Sequence, residues 1–121
     1  MGYYVSLHDS DFVIPEDKEE DALKAIHDLY GKNQSYSWVV DSACLEAETL
    51  EEALMAWRWG YRSGELYFEG EKLGDDIILF CAIAPFVNAG SFIEMHGEEG
   101  FMWRWVFDGK ECHEIEPTVT W

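Results

Sequence analysis

The side chains best suited to chemistry recur at alternate positions near the end of the chain. They are Glu94 and His96 in one run, and Cys112 and Glu114 in another. Alternate residues of a strand share a face, so a sheet would bring all four together. Carboxylate, imidazole and thiolate groups suit zinc binding, and carboxylate and imidazole suit acid–base catalysis. Such neighbours are more often only a mixed polar sheet face, so we expect no catalytic site, no metal site and no cofactor.

Other polar residues have simpler structural explanations. Asp75 and Asp76 precede an apolar run and are expected to cap a helix rather than to bind a metal. Asp9 and Asp11 lack the remaining positions of a calcium loop, and His8 reads as a surface histidine. The chain has no glycine-rich phosphate loop and no serine nucleophile motif, so we do not expect an enzyme.

The elements that would position these residues form a block from Leu73 to Ile115. An apolar helix without a polar face covers Ile77–Ala84 and is expected to be buried on all sides. Three strands follow, with turns at Gly97–Gly100 and at Asp108-Gly109. The predicted strands are Ser91–His96, Phe101–Phe107 and Lys110–Ile115.

The turn lengths predict a register. A two-residue Asp108-Gly109 turn pairs Phe107 with Lys110, and a four-residue loop pairs His96 with Phe101. One face then carries the aromatic residues and the candidate site, and the other carries an aliphatic set. The first comprises Phe92, Trp103, Trp105 and Phe107 with Glu94, His96, Cys112 and Glu114, and the second includes Ile93, Met95, Met102 and Val106. We expect the aliphatic face to meet the helices, with the aromatic face as the open alternative.

The first half of the chain alternates strands and helices. The predicted elements are strand Tyr3–His8, helix Glu16–Tyr30, strand Tyr36–Asp41, helix Thr49–Gly60 with a Thr49–Glu52 capping box, and strand Glu65–Glu69. The resulting order is βαβαβαβββ. Residues 1–121 are therefore predicted to form a single α+β, two-layer domain. Its mixed or antiparallel sheet ends in a three-stranded meander, with helices packed on one face.

The cysteines indicate a reducing environment. Cys44, Cys81 and Cys112 are scattered and odd in number, with no CxxC spacing, so free thiols in the cytoplasm are expected. The opening residues lead directly into a strand pattern, and no signal peptide is recognised.

Charge is the feature that the fold explains least. The chain has 25 acidic and 8 basic residues, a net charge of -17, and 48% hydrophobic residues, which is too many for a disordered acidic tail. Such a surface repels nucleic acid and anionic membranes and attracts basic proteins. Because duplex DNA is a line of negative charge, the expected partner is a basic nucleic-acid-binding protein. The residues predicted to bind it are Glu16, Asp17, Glu19, Glu20, Asp21, Glu46, Glu48, Glu51 and Glu52.

The tryptophans suggest an alternative surface. Six are many for one small core, and Trp57 and Trp59 cannot both face inward on a regular helix. Trp59, Trp103 and Trp105 are therefore alternative partner-binding residues, since aromatic side chains are common interface anchors. The partner would be another protein or a second copy of this chain in a homodimer.

Several segments of the second half resemble known proteins. The segments 67–76, 83–87, 90–94 and 103–107, and more loosely the opening strand, resemble small acidic proteins of unknown function encoded by bacteriophages and other mobile elements. The resemblance carries no catalytic residues. It implies an inhibitor of host nucleic-acid enzymes that acts in the bacterial cytoplasm, such as a DNA mimic directed at a restriction or CRISPR component. The alternatives are an immunity-type or scaffold protein that uses the aromatic face, and an uncharacterised enzyme or metal protein.

Overall fold

In the computed structural model, residues 4–30, 36, 39–62, 65–70, 74–97 and 101–116 are described, and they form an α+β fold. The elements are β1 Val5–Asp11, α1 Glu19–Asp28, α2 Asp41–Glu46, α3 Leu50–Ala56, β2 Trp59–Arg62, β3 Glu65–Phe68, α4 Asp76–Ile83, β4 Phe92–Gly97, β5 Met102–Phe107 and β6 Cys112–Ile115. Strands β1-β4-β5-β6 form an antiparallel sheet, and β2-β3 form a separate hairpin. The predicted α+β class and the closing meander are confirmed.

The predicted strand Tyr36–Asp41 is wrong at the positions that are described. Tyr36, Val39 and Val40 are not in a strand, and Asp41 begins α2; Ser37 and Trp38 lie outside the described residues. The Val40 N–H donates to the Ala56 carbonyl at 3.1 Å, so this segment is tied to the end of α3 instead of to a sheet. A helix therefore replaces the second strand of the predicted order.

Helix α3 begins as predicted and ends early. The Thr49 hydroxyl accepts from the Glu52 N–H at 3.1 Å and the Glu52 carboxylate accepts from the Thr49 N–H at 3.3 Å, which completes the capping box. The helix stops at Ala56 instead of at Gly60, because Arg58 takes a left-handed backbone conformation with φ 73°.

This reversal at Arg58 starts a strand that the sequence did not predict. A left-handed residue after a helix is usually glycine, so the stop is easily overlooked in the sequence. Trp59 begins β2, and Trp57 and Trp59 are both fully buried. The two tryptophans can both face the core because they do not belong to the same helix.

The register between β4 and β5 differs from the prediction by one residue. His96 pairs with Met102 and Glu94 pairs with Arg104, whereas the sequence analysis paired His96 with Phe101. A shift of one residue transfers every side chain of a strand to the opposite face. The predicted turn Gly97–Gly100 includes residues 98–100, which lie outside the described residues.

The register between β5 and β6 differs by two residues, which preserves the faces. Phe107 pairs with Cys112 across a four-residue turn. Asp108 Oδ1 accepts from the N–H groups of Lys110 and Glu111 at 2.9 and 2.7 Å. Gly109 has φ 95° and Asp108 has no positive φ, so the two-residue turn that requires two positive φ values does not form.

The two faces of the four-stranded sheet consequently carry different combinations of residues from those predicted. Ile93 and Met95 share the core face with Trp105 and Phe107, and all four are buried. Phe80 of α4 packs on this face, with its ring centroid 5.2 Å from that of Trp105 and 6.2 Å from that of Phe107. The opposite, outer face carries the polar residues Glu94, His96, Arg104 and His113.

Helix α4 is covered on one side only, which corrects the expectation of complete burial. Leu79, Phe80 and Ile83 are fully buried, but Cys81 is exposed, and it lines an open depression with Ile77 and Ile78. None of the described helices is long and apolar enough to cross a membrane.

Candidate functional site

The four side chains first considered for chemistry do not meet. Glu94 and His96 lie on the outer face, whereas Cys112 and Glu114 lie on the core face beside Phe107 and Trp105. The Trp105 indole N–H donates to the Glu114 carboxylate at 2.9 Å. Burial, followed by the nearby Cys81 thiol and Glu114, raises the pKa of Cys112 to about 12. The Cys112 thiol is therefore protonated at neutral pH and is a poor nucleophile or metal ligand.

The two acids at the start of α4 do not cap the helix as predicted, and one of them is a buried carboxylate. Asp75 makes no capping hydrogen bond, and Asp76 is only 1% exposed. Asp76 Oδ1 accepts from the Trp59 indole N–H at 2.9 Å, and its Oδ2 accepts from Arg58 at 3.2 Å and from the Gly74 N–H at 2.9 Å. These bonds join α4 to the start of β2, so the role of Asp76 is structural.

The nine predicted partner-binding acids divide into two groups. One group, Glu16, Asp17, Glu19, Glu20 and Asp21, lies on a 3-10 turn and the first turn of α1. The other group, Glu46, Glu48, Glu51 and Glu52, lies where α2 ends and α3 begins. Each group has solvent-accessible side chains, and Glu46, Glu51 and Glu52 of the second group line a surface depression.

The second group borders a groove that continues onto the β2–β3 hairpin. Two depressions of about 610 and 410 Å³ share Glu51, Met55 and Arg62 as lining residues, and we call them together the acidic groove. Helices α2 and α3 form one end of it and the hairpin forms the other. The carboxylates that line it are Glu46, Glu51, Glu52, Glu65 and Glu69.

The acidic groove also exposes apolar surface. Val40, Met55 and Tyr67 line it and are 59%, 51% and 49% exposed, respectively. Apolar side chains that are grouped in a concave, polar-edged surface are characteristic of binding sites. The groove thus offers hydrophobic contact and negative charge in the same place.

The electrostatics of the acidic groove are strongly negative. Among its described lining residues, five carboxylates accompany one cation, Arg62, whose Nε lies 3.3 Å from Glu51. One oxygen of the Glu52 carboxylate already accepts a hydrogen bond from the Glu48 N–H at 2.8 Å. The Tyr67 hydroxyl donates to Glu65, and this carboxylate raises the pKa of Tyr67.

Sequence reasoning missed half of this groove. Glu65, Tyr67 and Glu69 lie on or next to β3, which was predicted as a strand, but they were assigned no role. The first two residues of β2 were assigned to the preceding helix, so the pairing of β2 with β3 was not foreseen. The separation of Trp57 and Trp59 by two residues was the available signal, since two such residues cannot both face the core on one regular helix.

Two of the three tryptophans predicted as alternative partner-binding residues lie in the core. Trp59 and Trp105 are 0% and 1% exposed, and their ring centroids lie 6.3 Å apart in the core. Neither can contact a partner while this core is intact. Trp103 is half-buried and packs against Trp105 at a centroid distance of 6.0 Å.

A second polar cluster lies on the outer face and includes His8, to which the sequence analysis gave no role. Glu94 is 5% exposed, and its Oε2 lies 3.2 Å from His96 Nε2 and 3.6 Å from His8 Nε2. Arg104 Nε donates to the other oxygen, Oε1, at 3.0 Å. Sequence alone could not supply His8, because its position depends on an irregularity in the β1–β4 pairing.

Comparison of the chain with protein-family models, with curated proteins and with solved structures gave no match. Its function has to be inferred from its surface and from the groups that the fold brings together.

Proposed function

We propose that this protein binds and blocks a basic protein, and that the acidic groove is the principal contact. The carrying observation is that five carboxylates surround exposed apolar side chains in one concave surface. The partner segment would carry lysine or arginine residues beside hydrophobic ones.

Charge supports this choice of partner. With a net charge of -17, the whole chain attracts cationic surfaces, and the groove adds a local concentration of carboxylates. Long-range attraction raises the association rate, and contact in a partly desolvated groove strengthens each ion pair. A basic partner would therefore bind quickly at low salt and more weakly as salt is added.

The exposed apolar side chains of the acidic groove favour a protein partner that has apolar side chains to bury against them. Charge alone would suit any polycation, but Val40, Met55 and Tyr67 supply surface that only a partner with apolar groups can cover. Burial of such surface contributes roughly 25 cal/mol per Å². The acidic groove disfavours direct binding of nucleic acid for two reasons. A nucleic acid brings no positive charge to the carboxylates and no apolar side chains to the exposed apolar surface.

The partner that best fits this chemistry is a nucleic-acid-binding protein whose basic surface normally contacts phosphates. Blocking such a surface would make the chain a nucleic-acid charge mimic, and the host enzymes of restriction or CRISPR defence are the candidate targets. This setting, in the cytoplasm of a bacterial host, follows the resemblance to small acidic phage proteins.

The test compares two variants that lose the same charge at different places. The groove variant combines E46Q, E51Q, E65Q and E69Q, and the control variant combines E16Q, D17N, E20Q and D21N. Each removes four negative charges, and the circular dichroism and thermal unfolding of both are checked first. Wild type and variants are then used to capture proteins from a bacterial lysate at low and high salt.

We expect wild type and the control variant to retain a basic nucleic-acid-binding protein that salt releases and that duplex DNA displaces. The groove variant should bind the purified protein more weakly by at least about fourfold, because four ion pairs of about 0.2–1 kcal/mol each are lost. Equal weakening by the two variants would refute the groove as the contact. A captured protein that binds DNA and this chain simultaneously would refute mimicry.

A further inference from the structure

The outer face of the four-stranded sheet carries a group that the acidic groove does not involve. We propose that His8, Glu94 and His96 bind a divalent transition-metal ion, with Zn²⁺ as the ion that they suit best. Each of the three residues offers one ligand atom, and these atoms lie within 4.8 Å of one another. None of these residues lines the acidic groove.

A bulge in β1 brings His8 to this place. Leu7 pairs with Met95 and Asp9 pairs with Glu94, so His8 is an additional residue without a partner position on β4. A bulge places two successive residues of one strand opposite a single residue of its neighbour and redirects their side chains. The His8 ring consequently stacks on the His96 ring, with centroids 3.9 Å apart and planes at 9°.

The donor set is one that zinc uses. Two imidazole nitrogens and one carboxylate oxygen recur as the three protein ligands of catalytic zinc sites, where water or substrate takes the fourth position. The side chains of His8 and His96 remain 56% and 31% exposed, respectively, so an ion between them would be accessible to solvent.

The spacing of the donors also suits a tetrahedral ion. Glu94 Oε2 lies 3.2 Å from His96 Nε2 and 3.6 Å from His8 Nε2. Two ligands that each lie about 2.05 Å from a tetrahedral ion are separated by about 3.3 Å. The distance between Glu94 Oε2 and His96 Nε2 therefore needs little change on metal binding.

The stacked rings must separate, and His8 is the ring that can move. A metal ion lies close to the plane of each imidazole that binds it, so two parallel rings 3.9 Å apart cannot both direct a lone pair at one ion. His8 lies on an irregular, exposed part of β1, and its ring can turn about its side-chain bonds. His96 is more enclosed and would keep its position.

Arg104 holds the carboxylate in place for this role. Its Nε donates to Glu94 Oε1 at 3.0 Å, and its guanidinium lies over the Phe92 ring at 4.3 Å. Oε1 is thereby occupied, and Oε2 faces the histidines. Groups that orient metal ligands in this way commonly change metal affinity by about 10–100-fold. The positive charge of Arg104 opposes a cation, and the net charge of -17 on the chain offsets that repulsion.

A second histidine–carboxylate cluster provides an internal control. Asp108, Glu111 and His113 also place donor atoms within 4.8 Å, but all three residues are exposed. Asp108 Oδ1 is occupied by two backbone N–H groups, and Oδ2 lies 2.9 Å from His113 Nε2. With one histidine and no buried carboxylate, this cluster is expected to bind zinc more weakly.

The experiment titrates the full chain with zinc chloride by calorimetry and with cobalt chloride by visible absorption, under reducing conditions. The variants are H8N, H96N and E94Q, with H113N as the matched control. Wild type and H113N should bind one equivalent of zinc with the same affinity. H8N should bind at least about 100-fold more weakly, since loss of a ligand exceeds the effect of losing an orienting group. The cobalt spectrum should show no thiolate charge-transfer band.

H8N is the decisive variant because His8 is mostly exposed and its replacement leaves the core intact, whereas E94Q removes a buried charge. Unchanged zinc affinity in H8N would overturn the proposal. So would a loss in H113N equal to that in H8N, or the absence of zinc binding by the wild type. Failure here leaves the acidic groove unaffected, because the two sites share no residue.

Discussion

Asp76 and Glu94 are the two carboxylates that the described part of the fold buries, at 1% and 5% exposure, and their surroundings differ. Asp76 lies at the start of α4 and is enclosed by an indole N–H, a guanidinium and a backbone N–H. Glu94 lies on the outer face of the sheet, with an arginine on one oxygen and two accessible histidines on the other.

The difference lies in what the donors can do. The indole and backbone donors of Asp76 cannot lose a proton or turn toward solvent, so its hydrogen bonds serve the fold alone. The histidines beside Glu94 can be donors, acceptors or metal ligands according to their protonation and orientation. Asp76 thus stabilises the fold, whereas Glu94 has neighbours that can also act as hydrogen-bond donors, acceptors or metal ligands.

Replacement of Asp76 should cause the largest loss. In D76A the Trp59 indole and the Arg58 guanidinium lose their buried acceptor, and we expect the free energy of unfolding to fall by about 3–5 kcal/mol. This is a large part of the stability of a domain of this size. Urea unfolding followed by tryptophan fluorescence measures the change. A loss below about 1 kcal/mol, the value of an ordinary hydrogen bond, would contradict the structural role of Asp76.

Replacement of Glu94 should cost less. In E94Q the carboxylate charge is lost, but Arg104 is 21% exposed at its side chain and can turn toward water. We expect the free energy of unfolding to fall by about 1.5–3 kcal/mol, the range for hydrogen bonds to charged groups. The same urea titration measures it. If E94Q is as damaging as D76A, the two carboxylates do not differ in the way described here.

Replacement of the exposed Asp108 should have the smallest effect on stability, and this effect should be lost in acid. The Glu111 backbone N–H first, then His113 and the Lys110 N–H, lower the pKa of Asp108 from 3.8 to about 2. A lowered pKa in the folded state contributes stability above pH 4, and this contribution is lost as the pH falls toward 2.

The variant D108N should therefore be slightly less stable than wild type at pH 6, and the difference should shrink as the pH falls through about 2. Urea midpoints at several pH values measure this difference, and an NMR titration gives the pKa of Asp108 directly. A constant difference between the two proteins across this range would contradict the assigned pKa.

Prediction from sequence succeeded where the signal was local. The Thr49–Glu52 capping box, the helical face of Ala22 and Ile26 and the succession of three closing strands all depend on residues a few positions apart. It gave β3 but failed for β2, because a non-glycine residue, Arg58, reverses the chain in the left-handed conformation. The contacts of Arg58 with Asp76 and Phe68, which accompany this reversal, come from distant parts of the sequence.

The candidate sites show the same division. The exposed acids of the helices were predicted from charge, but the hairpin half of the acidic groove was not, because it depends on where β2 begins. Glu94 and His96 were recognised as a pair, whereas His8 joins them only through a bulge, 86 positions away from Glu94 in the chain.

The amino-acid sequence by itself determined the α+β class, the negative charge and the starts of α3 and α4, because periodicity, capping and net charge are properties of short segments or of composition. The tertiary structure alone decided which face each strand buries, where Trp59 lies and which groups surround Glu94. Register and bulges are set by packing between segments far apart in the chain, and a shift of one residue is enough to exchange a core side chain for a surface one.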